Sequence, residues 1–175
     1  LGNILNTVPL VQVLGQAQTQ FDAAKFQWIG NMTQEVSIVV SWHTAPVKTI
    51  DEARRVELLM GATSPGTLGG MYPKILNAIA GTKFKVITGY KEAVAIDLAM
   101  ERGETQGLGI AGWLDLTGPR ADWVKDGKVF VVYQIALKRH EEMPNVPTIA
   151  EMTGNAEDRK IMELLASTED MGRSF

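Results

Sequence analysis

The stretch Leu58-Leu59-Met60-Gly61-Ala62-Thr63-Ser64-Pro65-Gly66-Thr67 decides the fold of this 175-residue chain. Leu58–Met60 is a short apolar strand, and Gly61–Thr67 is a loop of small and hydroxylated residues. The loop feeds a helix expected to run to about Ala80, where Gly81 stops it. Met71, Ile75 and Ile79 are expected on its buried stripe, and Pro73 lies in the early turns, where a proline costs least. The module then repeats. Phe84–Ile87 is a strand, Thr88-Gly89-Tyr90-Lys91 a loop, and Glu92–Arg102 a helix stopped by Gly103, with Val94, Ala95, Leu98 and Ala99 as its expected buried face. Strand alternating with helix at this spacing predicts an α/β fold with parallel strands.

The rest of the chain extends this pattern on both sides. Pro9 and Gly15 bracket a short apolar run, and Gly15–Gln20 reads as a loop. Phe26–Ile29 and Glu35–Trp42 read as strands, the second with the continuous Val/Ile content of a strand buried on both faces. His43-Thr44-Ala45-Pro46 breaks the pattern and reads as a linker. Val47–Arg55 holds a short helix that either Thr49 or Asp51 could cap. Gly107–Ile110 is a third strand, the segment through Trp123 is turn-rich, and Val129–Leu137 is the longest strand. Met143–Thr148 is extended, and Ala156–Ala166 is a final helix.

Composition removes several function classes. Apolar residues make up 45% and charged residues 21%, with a formal net charge of −3. No run of Lys and Arg exceeds Arg54-Arg55, so a nucleic-acid partner has no basic face to bind. No apolar stretch reaches the ~18–20 residues of a membrane span, so direct membrane insertion is not expected. Cysteine is absent, which removes thiolate metal sites, thiol nucleophiles and disulfides. The chain opens on Leu1-Gly2-Asn3 without an initiator Met, and is read as a processed or excised piece from which a signal peptide has been removed.

In an open parallel sheet, ligands sit outside the carboxyl ends of the strands, where loops enter helices. Gly61–Thr67 offers backbone amides and the hydroxyls of Thr63, Ser64 and Thr67 just before a helix N-terminus, a natural place for a carboxylate or phosphate. The alternative is that Gly61 and Gly66 make a tight turn and Thr67 caps the helix. Gly61-x4-Gly66 has P-loop spacing, but Thr67 stands where the phosphate-gripping Lys belongs, which argues against a nucleoside triphosphate. Gly107-Leu108-Gly109-Ile110-Ala111-Gly112 fits a dinucleotide fingerprint in form. The turn-like Gly103–Gln106 precedes it and Pro119 follows, so it reads as a glycine-rich strand end. His43 and His140 are far apart and read as surface residues without metal spacing. Trp113 stands out because it follows the third strand. No base is placed beside a nucleophile, so no enzyme activity, cofactor or metal is expected.

Phe84-Lys85-Val86-Ile87-Thr88-Gly89-Tyr90-Lys91 with Ala95-Ile96-Asp97-Leu98-Ala99-Met100-Glu101-Arg102-Gly103-Glu104 resembles the tripartite tricarboxylate transporter substrate-binding proteins, the TctC-like or Bug family. Gly61-Ala62-Thr63, Pro65-Gly66-Thr67, Lys25-Phe26-x-Trp28-Ile29-Gly30, Asp122-Trp123, Asp126-Gly127-Lys128 and Leu137 through Pro144-Asn145-Val146-Pro147-Thr148 share that resemblance, in order. It implies a type II periplasmic-binding-protein-like α/β fold, with two Rossmann-like lobes joined by crossing strands. One lobe would be complete at 45–131; the other, discontinuous and partial, would come from 1–44 and 132–175. Relative to the family the chain is expected to be truncated at both ends, leaving that lobe incomplete. The implied function is an extracytoplasmic, periplasmic receptor that captures a small carboxylate and delivers it to membrane subunits of a transporter. The ligand residues carry over to Thr63, Ser64, Gly66, Thr67, Gly89, Tyr90, Ala111 and Gly112. The alternative is the effector-sensing domain of a transcription regulator, which uses the same two-lobed architecture.

Overall fold

The computed structural model describes residues 12, 21–27, 29–30 and 35–170. Five strands form one sheet: β1 (Ser37–Trp42), β2 (Leu58–Ala62), β3 (Phe84–Thr88), β4 (Gly107–Gly112) and β5 (Val129–Ile135). Their order is β3-β2-β4-β1-β5. β2 runs parallel to β3 and β4, as expected, but β1 is antiparallel to both β4 and β5. The sheet is therefore mixed rather than purely parallel. β1 ends at Trp42 on the same end of the sheet at which β2 begins, so the link through residues 43–57 passes the end of the intervening β4 and brings the chain back antiparallel to β1.

Helices cover both faces. One face holds α1 (Ile50–Ala53), α2 (Leu68–Ala80) and α6 (Ala156–Asp170); the other holds α3 (Ala93–Glu101), α4 (Trp113–Thr117) and α5 (Ala121–Lys125). The alternation of β1 is what divides them. Val39 joins Leu58, Met60, Tyr72, Leu76 and Met162 in one core. Ile38, Val40 and Trp42 join Ile96, Met100, Leu116 and Trp123 in the other. Trp42 and Trp123 meet edge to face, ring centroids 5.0 Å apart, a favoured aromatic geometry.

Most elements fall where the residues predict. Thr49 caps α1 in a reciprocal box, its hydroxyl taking the Glu52 amide while the Glu52 carboxylate takes the Thr49 amide. Gly81 ends α2 in the left-handed region at φ +68°. α6 runs to Asp170, one turn beyond the expected Ala166.

Five expectations are corrected. Residues 143–146 form a turn rather than an extended segment, closed by the Val146 amide on the Met143 carbonyl. Phe26, Gln27 and Ile29 are in no strand, and Ile29 is 67% exposed, with no strand among the described residues to pair with it. The turn-rich segment after β4 holds the two short helices α4 and α5. In α2 the fully buried positions are Gly69, Gly70, Tyr72, Pro73 and Leu76, with Ile75 and Ile79 only partly buried. In α3 Ile96, Ala99 and Met100 face inward while Val94 and Leu98 face solvent.

 Both helices carry two apolar stripes of equal spacing, and the sheet chooses between them. The side-chain-free Gly61 admits Ile96 against β2, and Gly109 lets the backbone of α2 approach β4 at Gly69, closer than any Cβ permits. The glycines of the Gly107–Gly112 fingerprint thus serve strand packing: a side chain at Gly107 would strike the Val40 carbonyl.

Candidate functional site

The eight residues singled out from the sequence lie at the carboxyl ends of β2, β3 and β4, three neighbouring parallel strands. β2 ends at Ala62 and releases the loop Thr63–Thr67 into α2. The Thr67 hydroxyl donates to the Ser64 carbonyl at 2.8 Å and lies 3.5 Å from the Thr63 hydroxyl. Thr67 therefore braces the loop with its side chain and does not cap the helix with it. Its carbonyl accepts the amides of Gly70 and Met71, both at 2.9 Å. Gly70 is obligatory here, because a Cβ would collide with the carbonyls of Ser64 and Pro65. Gly66 is exposed with open space about its Cα. The first-turn amides of a helix have no intrahelical acceptors, so this 13-residue helix directs partial positive charge at the loop.

The second loop joins the first. Gly89, at φ +111°, donates its amide to the Thr63 carbonyl at 3.2 Å. Tyr90 is half-buried against the core that holds Ile96. On β4, Ala111 turns its side chain into that core, leaving little surface for a ligand, and Gly112 opens α4. The Glu35 carboxylate occupies the space where a Gly112 side chain would stand. Thr63, Ser64, Gly66, Thr67 and Gly89 thus form one connected constellation, while Ala111 and Gly112 lie one strand away on the same edge.

Farther along this edge, beside Gly112, opens a groove of about 1000 Å³ whose carboxylates the sequence reading did not single out. Glu35, Glu141, Glu142 and Glu169 line it, with Trp113 and His140. The Trp113 indole N–H donates to the Glu142 carboxylate, and the His140 ring lies 6.3 Å from the Trp113 ring. Glu169 is only 6% exposed and accepts the Ser37 hydroxyl at 2.8 Å. Of the cations on the groove wall, Arg139 is engaged by Glu151 in a two-pronged pair. The groove is consequently acid-rich, and the anion-accepting part of the edge is the amide and hydroxyl loop after β2. Gln134, wholly buried, holds the groove's outer wall. Its side chain donates to the carbonyls of Met143 and Val146 and accepts the His140 amide. Trp113 was the one groove residue flagged by its position after a strand; Glu35 and Glu169 carry no local signal.

Behind the edge, Arg120 links α5 to α3 through Asp97 at 2.8 Å. Burial raises the Asp97 carboxyl above its usual range, and the Arg120 hydrogen bond pulls the other way. Among the described residues no group of His, Asp and Glu could hold a metal ion. No described helix is long and apolar enough to cross a membrane.

No family model and no curated protein matches the chain. Solved structures do. A TctC solute-binding protein from Polaromonas superposes with a TM-score of 0.62 at 14% identity, over 91% of this chain and 59% of that one. An R. palustris protein solved with adipate gives 0.56 at 17% identity, over 85% and 56%. The periplasmic binding protein BugD gives 0.52 at 14% identity, over 77% and 52%. The chain spans between half and three fifths of the length of these relatives. Its structural neighbours are TctC and Bug periplasmic solute-binding proteins, and it shares their mixed α/β fold. These neighbours are named for binding rather than for catalysis.

Proposed function

We propose that this chain belongs to an extracytoplasmic solute receptor that captures a small carboxylate in the periplasm and hands it to the membrane subunits of a tripartite tricarboxylate-type transporter. The observation that carries the reading is the Thr63–Thr67 loop, set between the end of β2 and the N-terminus of α2 and tied to Gly89. Amides and hydroxyls at such a corner accept an anion without needing a formal positive charge, which suits a chain of net charge −3. The adipate in the R. palustris neighbour favours a dicarboxylate as the first probe. Thr63, Ser64, Gly66 and Thr67 would hold one carboxylate, with Gly89, Tyr90, Ala111 and Gly112 along the remaining edge. In this reading residues 45–131 make one lobe and the flanks 1–44 and 132–175 contribute to the other, with β1 and β5 as the strands that cross between them.

The test is a thermal-shift series of the chain with adipate, succinate, citrate and benzoate. A ligand present at a hundred times its Kd adds about 2.7 kcal/mol of stability. A rise in melting temperature with one of these acids, reduced in Thr67→Val, supports the reading. No rise with any of them, up to 10-millimolar order (~10 mM, where a Kd of ~0.1 mM would give that full shift), sinks it.

A further inference from the structure

The two edges of the sheet are protected differently. An unpaired strand edge invites another strand, and proteins blunt such edges with charges, prolines or covering segments. β3 carries the exposed Lys85 at its second position, within 3.9 Å of the Glu57 carboxylate. β5, at the other edge, reads Val129-Phe130-Val131-Val132-Tyr133-Gln134-Ile135, with no charge and no proline. Among the described residues its outer side is paired only near its end, where the Gln134 amide donates to the Pro147 carbonyl and Gln134 bridges Thr148 in parallel. Upstream of Pro147 the chain turns away: the Val146 amide closes onto the Met143 carbonyl. Among the described residues no strand lies outside Val129–Val132. Val129, Phe130 and Val131 are half-buried there, and Val131 and Val132 line a cavity of about 580 Å³.

The charges around this cavity are Lys48, Arg54 and Arg139, against Asp51 and Glu151. Arg54 pairs with Asp51 and Arg139 with Glu151. Lys48 has no carboxylate partner among the described residues; its ammonium sits 4.6 Å over the Phe130 ring. Among the described residues the Lys48 ammonium therefore stands beside this edge without an ion pair, while the Glu52 carboxylate accepts the Lys48 backbone amide at 2.7 Å. A second copy of this chain is a poor occupant, because a twofold pairing of β5 with β5 would present the same basic groove from both sides.

We propose that the outer edge of β5 is a docking edge for an extended, acidic segment of a partner protein, which adds as a strand along Val129–Val132 and sets a carboxylate against Lys48. Backbone pairing supplies the affinity in such an augmentation, and alternate side chains supply the selectivity. The site is separate from the Thr63–Thr67 loop and stands or falls without it.

The experiment uses the nitrogen-15-labelled chain and two capped hexapeptides, one alternating Val and Glu, the other alternating Val and Lys. The expected result is that the acidic peptide shifts the Val129–Val132 amide resonances and slows their hydrogen exchange, while the basic peptide does neither. Lys48→Glu should weaken the acidic peptide at least tenfold and leave the melting temperature unchanged. The proposal is overturned if neither peptide perturbs these amides or if both do so equally. It is also overturned if the amides become protected without peptide as protein concentration rises, since the edge then belongs to a second copy.

Discussion

The amide of Gly89 donates to the carbonyl of Thr63 at 3.2 Å, and this one bond couples the loop after β3 to the loop after β2. Gly89 reaches that geometry at φ +111°, a region L side chains rarely adopt. Gly89→Ala should therefore cost about 1–2 kcal/mol in urea unfolding. If the coupled loops form the solute site, the same variant should weaken adipate at least fivefold by calorimetric titration. An unchanged affinity would separate Gly89 from the site.

Gly109 and Gly66 make a matched contrast. A Cβ on Gly109 would run into the Gly69 backbone, which has no rotamer to yield, whereas one on Gly66 meets nothing within 4 Å. Gly109→Ala should lower stability by about 2–4 kcal/mol, and Gly66→Ala by less than about 0.5 kcal/mol. Denaturant midpoints of the two variants test the ordering, and equal midpoints would mean that α2 does not pack on β4 so closely.

Thr49 closes the capping box of α1. Thr49→Ala leaves the Glu52 amide without that acceptor and should cost about 1 kcal/mol, with Thr49→Ser nearly neutral. A thermal melt of both variants is sufficient, and a neutral alanine would show that α1 does not depend on its cap.

Glu151 is held down to a pKa of about 2 from 4.5, first by the Arg139 hydrogen bond and then by the Thr148 amide. A depressed carboxylate contributes stability above its unfolded pKa and loses it as pH falls through the folded value. The melting-temperature gap between the wild type and Glu151→Gln should be full at pH 6, shrink below about pH 4.5 and close toward pH 2. The pair is partly exposed, so solvent screening keeps the gap to a few degrees and added salt should narrow it. A gap that stays constant with pH would assign the effect to packing.

Much of this architecture was legible because its signals are local. Gly81 and Gly103 sit at positive φ where the chain must turn, and each was readable as a helix stop. The strand–loop–helix corner at Leu58–Thr67 was equally plain, and Thr49 needed only Glu52 three residues on. The buried stripes were not legible. Val94 and Leu98 have the same four-residue spacing as Ile96 and Met100, and only the hole that Gly61 leaves in β2 favours the second pair. The resemblance to the solute-binding proteins carried the fold correctly, since their structures superpose on this one at 14–17% identity.

By itself the sequence determined the two strand–loop–helix units between Leu58 and Arg102, their stops at Gly81 and Gly103, and that a hydroxyl-rich loop enters a helix at Thr67. Hydrophobic periodicity, glycine dihedrals and caps act over a few residues, so they can be read along the chain. Only the tertiary structure decided that β1 runs against β4 and β5, that Gly109 is a packing residue, and that Ser37 and Glu169 meet at the groove. Those last two stand 132 residues apart. Their contact follows from which strand lies beside which, a choice set by the burial of two faces of one sheet at once.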